Sequence, residues 1–150
     1  MSNGLPKPGN SSSLSRYAAL EYVLLGDLRD LLEEKPDRLT RKWLIAVLDA
    51  LLETLPSEFA LQEDGGYMAD VLETFPNWSG YVADLQQERE RLYNNLKQLR
   101  DQVARDESYD QLSSDLQKNL RNWMLGIAAF HRHERRLIQS AYNLEVGVGD

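Results

Sequence analysis

The sequence contains no cysteine, so disulfide bonds, thiolate nucleophiles and thiolate metal ligands are all excluded. Histidine is nearly as scarce, since only His131 and His133 are present and both lie in one short stretch. A serine-histidine-aspartate triad is therefore not expected, and no other catalytic pattern stands out, so we predict a protein that is not an enzyme. The lack of cysteine agrees with a reducing compartment, and we predict a cytoplasmic location.

A long apolar run is also missing, because the longest nearly apolar stretch is the eight residues 123–130. A transmembrane helix needs about 20 such residues, so no membrane partner is expected. The first 15 residues hold one lysine and no apolar segment, which does not match a secretory signal. Basic residues are fewer than acidic ones, 17 against 24, and the net charge of −7 disfavours nucleic acid as a partner. A protein partner stays open.

The 150 residues, 42% of them hydrophobic, are enough for one domain with a real core. Apolar periodicity predicts long helices over about 15–34, 37–64, 77–104 and 109–142, and a short helix over 67–74. Pro36, the pair Gly65-Gly66 and Pro76 separate these segments, and Pro56 is expected to kink the second helix or divide it. The predicted fold class is all-α, an up-and-down four-helix bundle over 15–142, with tails at 1–14 and 143–150.

Each long helix has a polar side chain where its apolar stripe should continue into the core. The residues are Glu21 in the first helix, Glu58 and Gln62 in the second, Arg89 in the third and Glu134 in the last. A buried charge must be paired or neutralised, so we predict one buried network in which Arg89 bridges Glu58 and Glu134. Gln62 and Glu21 would complete its hydrogen bonds. The alternative is that these long side chains reach water at the edges of the seams.

The chain, with these polar residues at core positions of its helices, resembles the hemerythrin-like family over most of its length. The resemblance is carried by residues 58–68, by 85–92 and by 130–138. It implies a four-helix bundle that holds two irons for oxygen or redox chemistry through histidines one turn apart and bridging carboxylates. At the matching positions this chain has Glu58 and Gln62, Leu85 and Arg89, Phe130 and Glu134, and either Glu21 or Leu25 on the first helix.

Most of the family's ligands are thus replaced, and the fixed charge of Arg89 would repel a metal cation. The leading interpretation is a metal-free hemerythrin-like module with an interaction or regulatory role and no cofactor. A further interpretation is a plain helical scaffold or self-associating bundle without any ligand. The main alternative is an iron-binding oxygen or redox module with a non-standard, carboxylate-rich site. Its ligands would come from Glu58, Glu63, His131 and Glu134, with Glu21 as a further candidate.

Two smaller groups of residues complete the candidates. The spacing of His131 and His133 does not let both face one ion, so both are assigned to a charged outer face of the last helix. The alternative for His131 is that it reaches the edge of the seam, because it lies four residues after Ile127. The aromatic residues around the second connection are expected to form an apolar cap of the bundle, or alternatively an exposed surface for a partner. These residues are Trp43, Tyr67, Phe75, Trp78 and Tyr81.

Overall fold

A computed structural model of the chain describes residues 8–35, 37–63, 66–105 and 112–149, and within these ranges all regular structure is helical. The all-α prediction is confirmed. The helices are α1 (Pro8–Glu33), α2 (Arg38–Glu63), α3 (Tyr67–Thr74), α4 (Ser79–Arg105) and α5 (Ser114–Gly149), with a 3₁₀ turn at Pro76–Trp78.

Side chains cap two of the long helices. The backbone N–H of Thr40 donates to Asp37 Oδ1 at 2.7 Å, and this bond holds the pKa of the Asp37 carboxyl below its usual value. At the start of α5 the N–H of Leu116 donates to Ser113 Oγ at 3.2 Å. Each cap satisfies an N–H group that has no partner inside its helix, and so marks where the helix begins.

The outer ends of α1 and α5 extend into the stretches predicted as tails. α1 begins at Pro8 and α5 continues to Gly149, while residues 1–7 and 150 lie outside the described residues. Proline is favourable in the first turn because its missing N–H would have no helical partner there. Glycine inside a helix costs only about 1 kcal/mol relative to alanine, so glycine near the end of α5 does not by itself stop the helix.

α2 continues through Pro56 as one helix, so of the two expected outcomes, a kink or a division, the division does not occur. A proline inside a helix leaves one carbonyl group of the preceding turn without its usual N–H donor. Pro56 lies on the exposed side of α2, where water can bind that carbonyl. The cost is therefore small enough for the helix to persist.

The four long helices form a ring in the order α1, α2, α4, α5, and within the described residues the backbones of diagonal helices stay further apart than those of neighbours. Contacts between α2 and α4 show that these two helices run in opposite directions. Arg41 near the start of α2 donates to the Val103 carbonyl near the end of α4, whereas Arg89 in the first half of α4 contacts Gln62 near the end of α2. The ring encloses a core whose most deeply buried members include Leu28, Leu48, Leu51, Leu55, Leu96, Leu120, Trp123, Ile127 and Phe130.

α3 closes one end of this ring. It packs against α2, α4 and α5, and buries Met68 and Val71. No helix within the described ranges carries an apolar stretch long enough to cross a bilayer.

Candidate polar site in the helix core

The structure buries all five side chains that interrupt the apolar stripes. Glu21, Glu58, Gln62, Arg89 and Glu134 are each exposed to 9% or less. They lie toward the α3 end of the ring and come from all four long helices. We call them, together with Tyr67 and His131, the polar layer.

The arginine of the polar layer has different partners from those predicted. Arg89 Nη1 donates to Gln62 Oε1 at 3.2 Å, and its Nη2 pairs with the carboxylate of Glu63. The guanidinium carbon also lies 4.8 Å from the centre of the Phe59 ring, a cation–π distance. The predicted bridge from Arg89 to Glu58 and Glu134 is wrong, because the axial register of α4 against α2 places the guanidinium beside the last turn of α2.

His131, and not Arg89, is the cation that lies between buried carboxylates of different helices. Its Nε2 lies 2.6 Å from Glu21 Oε1, and its Nδ1 lies 3.5 Å from Glu134 Oε1. Burial by itself lowers the pKa of an imidazole, but the hydrogen bonds to Glu134 and Glu21 outweigh it and raise the pKa of His131 to about 10. The side chain is therefore an imidazolium that joins α5 to α1.

The assignment of both histidines to an outer face is thus wrong for His131, whose side chain is only 30% exposed. It holds for His133, which is exposed and lies 3.0 Å from the carboxylate of Glu88 on α4. Positions two apart on a helix point about 200° apart, so one histidine can face the core edge while the other faces water. The spacing of four between Ile127, on the stripe, and His131 indicated the inward position.

The polar layer also contains Tyr67, which was predicted only as part of the aromatic cap. Its hydroxyl donates to Glu134 Oε2 at 2.5 Å. Burial and the neighbouring Glu134 carboxylate raise the pKa of Tyr67 far above its usual range, so the phenol stays protonated as a donor. Only the placement of α3 over the end of the ring brings this hydroxyl to Glu134.

Two carboxyl groups of the layer share one proton. Burial and the adjacent Glu21 carboxylate raise the pKa of Glu58 to about 9, so Glu58 is neutral at physiological pH. Burial would also raise the pKa of Glu21, but hydrogen bonds from His131 and Glu58 lower it below its usual value. Glu58 thus acts as a donor to an ionised Glu21, and its Oε2 atom is buried without a hydrogen-bond partner among the described residues.

Glu63, a candidate ligand of the alternative metal site, is not in the interior. Its side chain is 47% exposed and is held by Arg89 and Gln86. Within the described part of the chain, no group of three or more histidine, aspartate or glutamate side chains is arranged to hold a metal ion. The acidic groups and the imidazole are linked pairwise, from Glu58 to Glu21, to His131 and to Glu134, and do not surround a common centre.

The aromatic residues do not form one cluster. Phe75 stacks on Trp78 with ring centres 4.8 Å apart, and Tyr81 packs edge-on against Trp78 at 5.9 Å. Trp43 is 59% exposed near the start of α2, whereas the connection follows the end of that helix. About 20 residues of helix, roughly 30 Å, lie between Trp43 and the connection, so Trp43 is not part of the cap.

Comparisons with known proteins leave the family unassigned. No family model matches the chain, and neither a curated protein nor a solved structure matches it. The resemblance to hemerythrin-like proteins therefore stays a prediction from residue pattern.

Proposed function

We propose that this chain is a hemerythrin-like, up-and-down four-helix bundle that holds no di-iron centre and acts as a cytoplasmic interaction or regulatory module. The observation that carries the proposal is that the two ring nitrogens of His131 contact carboxylates from two different helices, Glu134 of α5 and Glu21 of α1. The module would use its own cations, His131 and Arg89, where the resembled family uses metal.

The donor set of the polar layer supports this proposal. A histidine that binds a metal must offer an unprotonated ring nitrogen, while its other nitrogen donates to a second group. Both nitrogens of His131 face carboxylates, and the layer has no second imidazole within the described residues. The guanidinium of Arg89 stands beside Gln62, one of the positions that match the family's ligands. These residues do not fit a pair of irons held by histidines.

Helix order and direction support the bundle assignment. The four long helices follow the ring in chain order, and contacts between neighbours pair the late part of one helix with the early part of the next. Arg121 near the start of α5 donates to the Leu32 carbonyl near the end of α1, while His131 lies beside Glu21. This pattern is typical of up-and-down bundles.

A carboxylate-rich metal site is the second candidate, and one observation favours it. The buried Oε2 of Glu58 lacks a partner, and such an orphan is rare because it costs about 1–3 kcal/mol. A cation bound at Glu58 would satisfy this atom, with Glu21, Glu134 and His131 as further candidate ligands once they had moved to surround a common centre. Glu63 would first have to leave Arg89.

Metal analysis distinguishes the two functions. Protein purified aerobically from iron-supplemented medium should contain almost no iron and should show no absorption bands of an oxo-bridged iron pair. Addition of Fe²⁺, Mn²⁺ or Zn²⁺ should leave the melting temperature unchanged, because a ligand stabilises only a fold to which it binds. Stoichiometric metal, together with a melting-temperature increase that the Glu58→Gln variant abolishes, would establish the metal site instead.

A further inference from the structure

A pocket opens between the first half of α4 and the second half of α5. Its volume is about 420 Å³, within the range of small-molecule sites in proteins. About two turns of each helix supply its walls, together with the 3₁₀ turn that precedes α4. None of its lining residues belongs to the polar layer, so a ligand in this pocket goes beyond the function proposed above.

Two leucines and two aromatic rings form the apolar part of the pocket. Leu85 of α4 and Leu137 of α5 are buried. Trp78 and Tyr81 also line the pocket, with ring centres 5.9 Å apart and ring planes at 89° to each other. Phe75 stacks on Trp78 at 4.8 Å and so holds the indole in place. The pocket therefore offers a preformed surface to an apolar or aromatic group.

Two opposite charges line the pocket on different helices and are not paired. Glu88 of α4 contacts His133 of α5 at 3.0 Å. Asp84 lies one turn before Glu88, and it lines the pocket. Arg136 lies one turn after His133 and lines the pocket from the other side. Later residues of α5 contact earlier residues of α4, so Asp84 and Arg136 lie at about the same level.

Neither Asp84 nor Arg136 forms an ion pair with any residue in the described ranges. We propose that the pocket binds a free α-amino acid with a large apolar side chain. The ligand carboxylate accepts two hydrogen bonds from the guanidinium of Arg136, whose planar fork matches it. The ligand ammonium group donates to Asp84. The ligand side chain packs between the rings of Trp78 and Tyr81 and the two leucines.

The charges of the pocket favour a zwitterion over ligands with one charge or none. An anion without an ammonium group would pair with Arg136 but would meet the carboxylates of Asp84 and Glu88. A cation without a carboxylate would pair with Asp84 but would lie close to the guanidinium of Arg136. An uncharged apolar molecule would remove water from both charges and offer them no partner, which is costly.

Isothermal titration calorimetry of the full chain with L-phenylalanine, L-leucine and L-tryptophan tests the proposal, and one ligand is expected to bind per chain. Three analogues of L-phenylalanine each lack one feature. Phenethylamine lacks the carboxylate, 3-phenylpropanoate lacks the ammonium group, and glycine lacks the side chain. Each analogue should bind weaker by about tenfold or more, because charge-assisted hydrogen bonds and the burial of a ring each contribute that much to affinity.

Two variants locate the site. Asp84→Asn and Arg136→Gln should each weaken amino-acid binding by about tenfold or more and leave the circular dichroism spectrum unchanged, because both side chains are exposed. The matched controls are Asp101→Asn on α4 and Arg132→Gln on α5, which make the same changes outside the pocket and should not alter the affinity.

The proposal is overturned if none of the three amino acids changes the heat signal or the amide chemical shifts of the protein, at concentrations up to its solubility limit. An analogue that binds as tightly as L-phenylalanine would also overturn it, since the pocket would then not recognise all three groups of the ligand. An affinity that neither pocket variant lowers would place the binding site elsewhere and overturn the proposal in the same way.

Discussion

Replacement of Glu58 by glutamine is expected to stabilise the protein at neutral pH, although it changes a fully buried residue. The folded protein keeps Glu58 protonated up to a pKa of about 9, whereas the usual value of a glutamate is 4.5. The unfolded chain therefore releases a proton at pH 7, and this release favours unfolding by about 1.4 kcal/mol for each pH unit above the unfolded pKa. At pH 7 the effect has an upper limit of about 3 kcal/mol.

Glutamine removes this effect and keeps the contact. Its amide N–H can donate to the ionised Glu21 as the protonated carboxyl of Glu58 does, and it has no proton to release on unfolding. Since the folded pKa of Glu58 is raised, wild-type stability is lost as pH rises from about 4.5 to about 9. The advantage of glutamine should therefore be near zero at pH 4 and grow with pH across this window.

Urea denaturation followed by far-ultraviolet circular dichroism, at several pH values from 4 to 9, measures the difference through the transition midpoint. Glu53→Gln is the matched control, because it makes the same change on the exposed side of the same helix and should not alter the midpoint. If Glu58→Gln is less stable than the wild type at pH 7, the folded protein holds Glu58 ionised, and the assignment of a shared proton with Glu21 is wrong.

Three further outcomes are expected. Because the pKa of His131 is raised in the folded protein, the contribution of His131 to stability is complete below pH 6.5 and is lost as pH rises toward 10. The Glu58→Gln variant should therefore still lose stability between pH 6.5 and 10. A stability that does not change with pH in this range would contradict the assignment of His131 as an imidazolium. Arg89→Met should lower the free energy of unfolding by about 1.5–3 kcal/mol. This is less than the loss of a fully buried ion pair costs, because the acidic partner, Glu63, is half exposed and can be hydrated. An unchanged urea midpoint would mean that the guanidinium of Arg89 lies in water. Tyr67→Phe should cost about 1–3 kcal/mol, since it removes the donor to a buried oxygen of Glu134, and a stability equal to that of the wild type would mean that water takes the place of the hydroxyl.

Much of the fold could be read from local pattern. The short helix predicted at 67–74 coincides with α3, and the predicted first and second long helices end within about two residues of α1 and α2, because glycine and proline act on their immediate neighbours. The predicted third long helix also ends within about two residues of α4, where a polar stretch rather than glycine or proline follows. The outer ends were less predictable. Polar residues near Pro8 and glycine near the end of α5 lower helix propensity by small amounts, which do not suffice to end a helix.

The burial of five of the seven side chains in the polar layer could also be predicted from the sequence. A stripe that repeats every three or four residues reports which side of its own helix faces the core, so it marks Glu21, Glu58, Gln62, Arg89 and Glu134 as interior positions without knowledge of any neighbour. The structure buries each of them.

Only the tertiary structure decided which of these groups meet. A helix rises about 1.5 Å and turns about 100° per residue, so a small axial shift between two helices changes the partner of every long side chain. No local pattern specifies that shift, and for this reason Arg89 contacts Glu63 and Gln62 while His131 lies between Glu21 and Glu134. The sequence by itself determined that polar groups would be buried in an all-α fold, and the packing of the helices determined which cation neutralises which carboxylate.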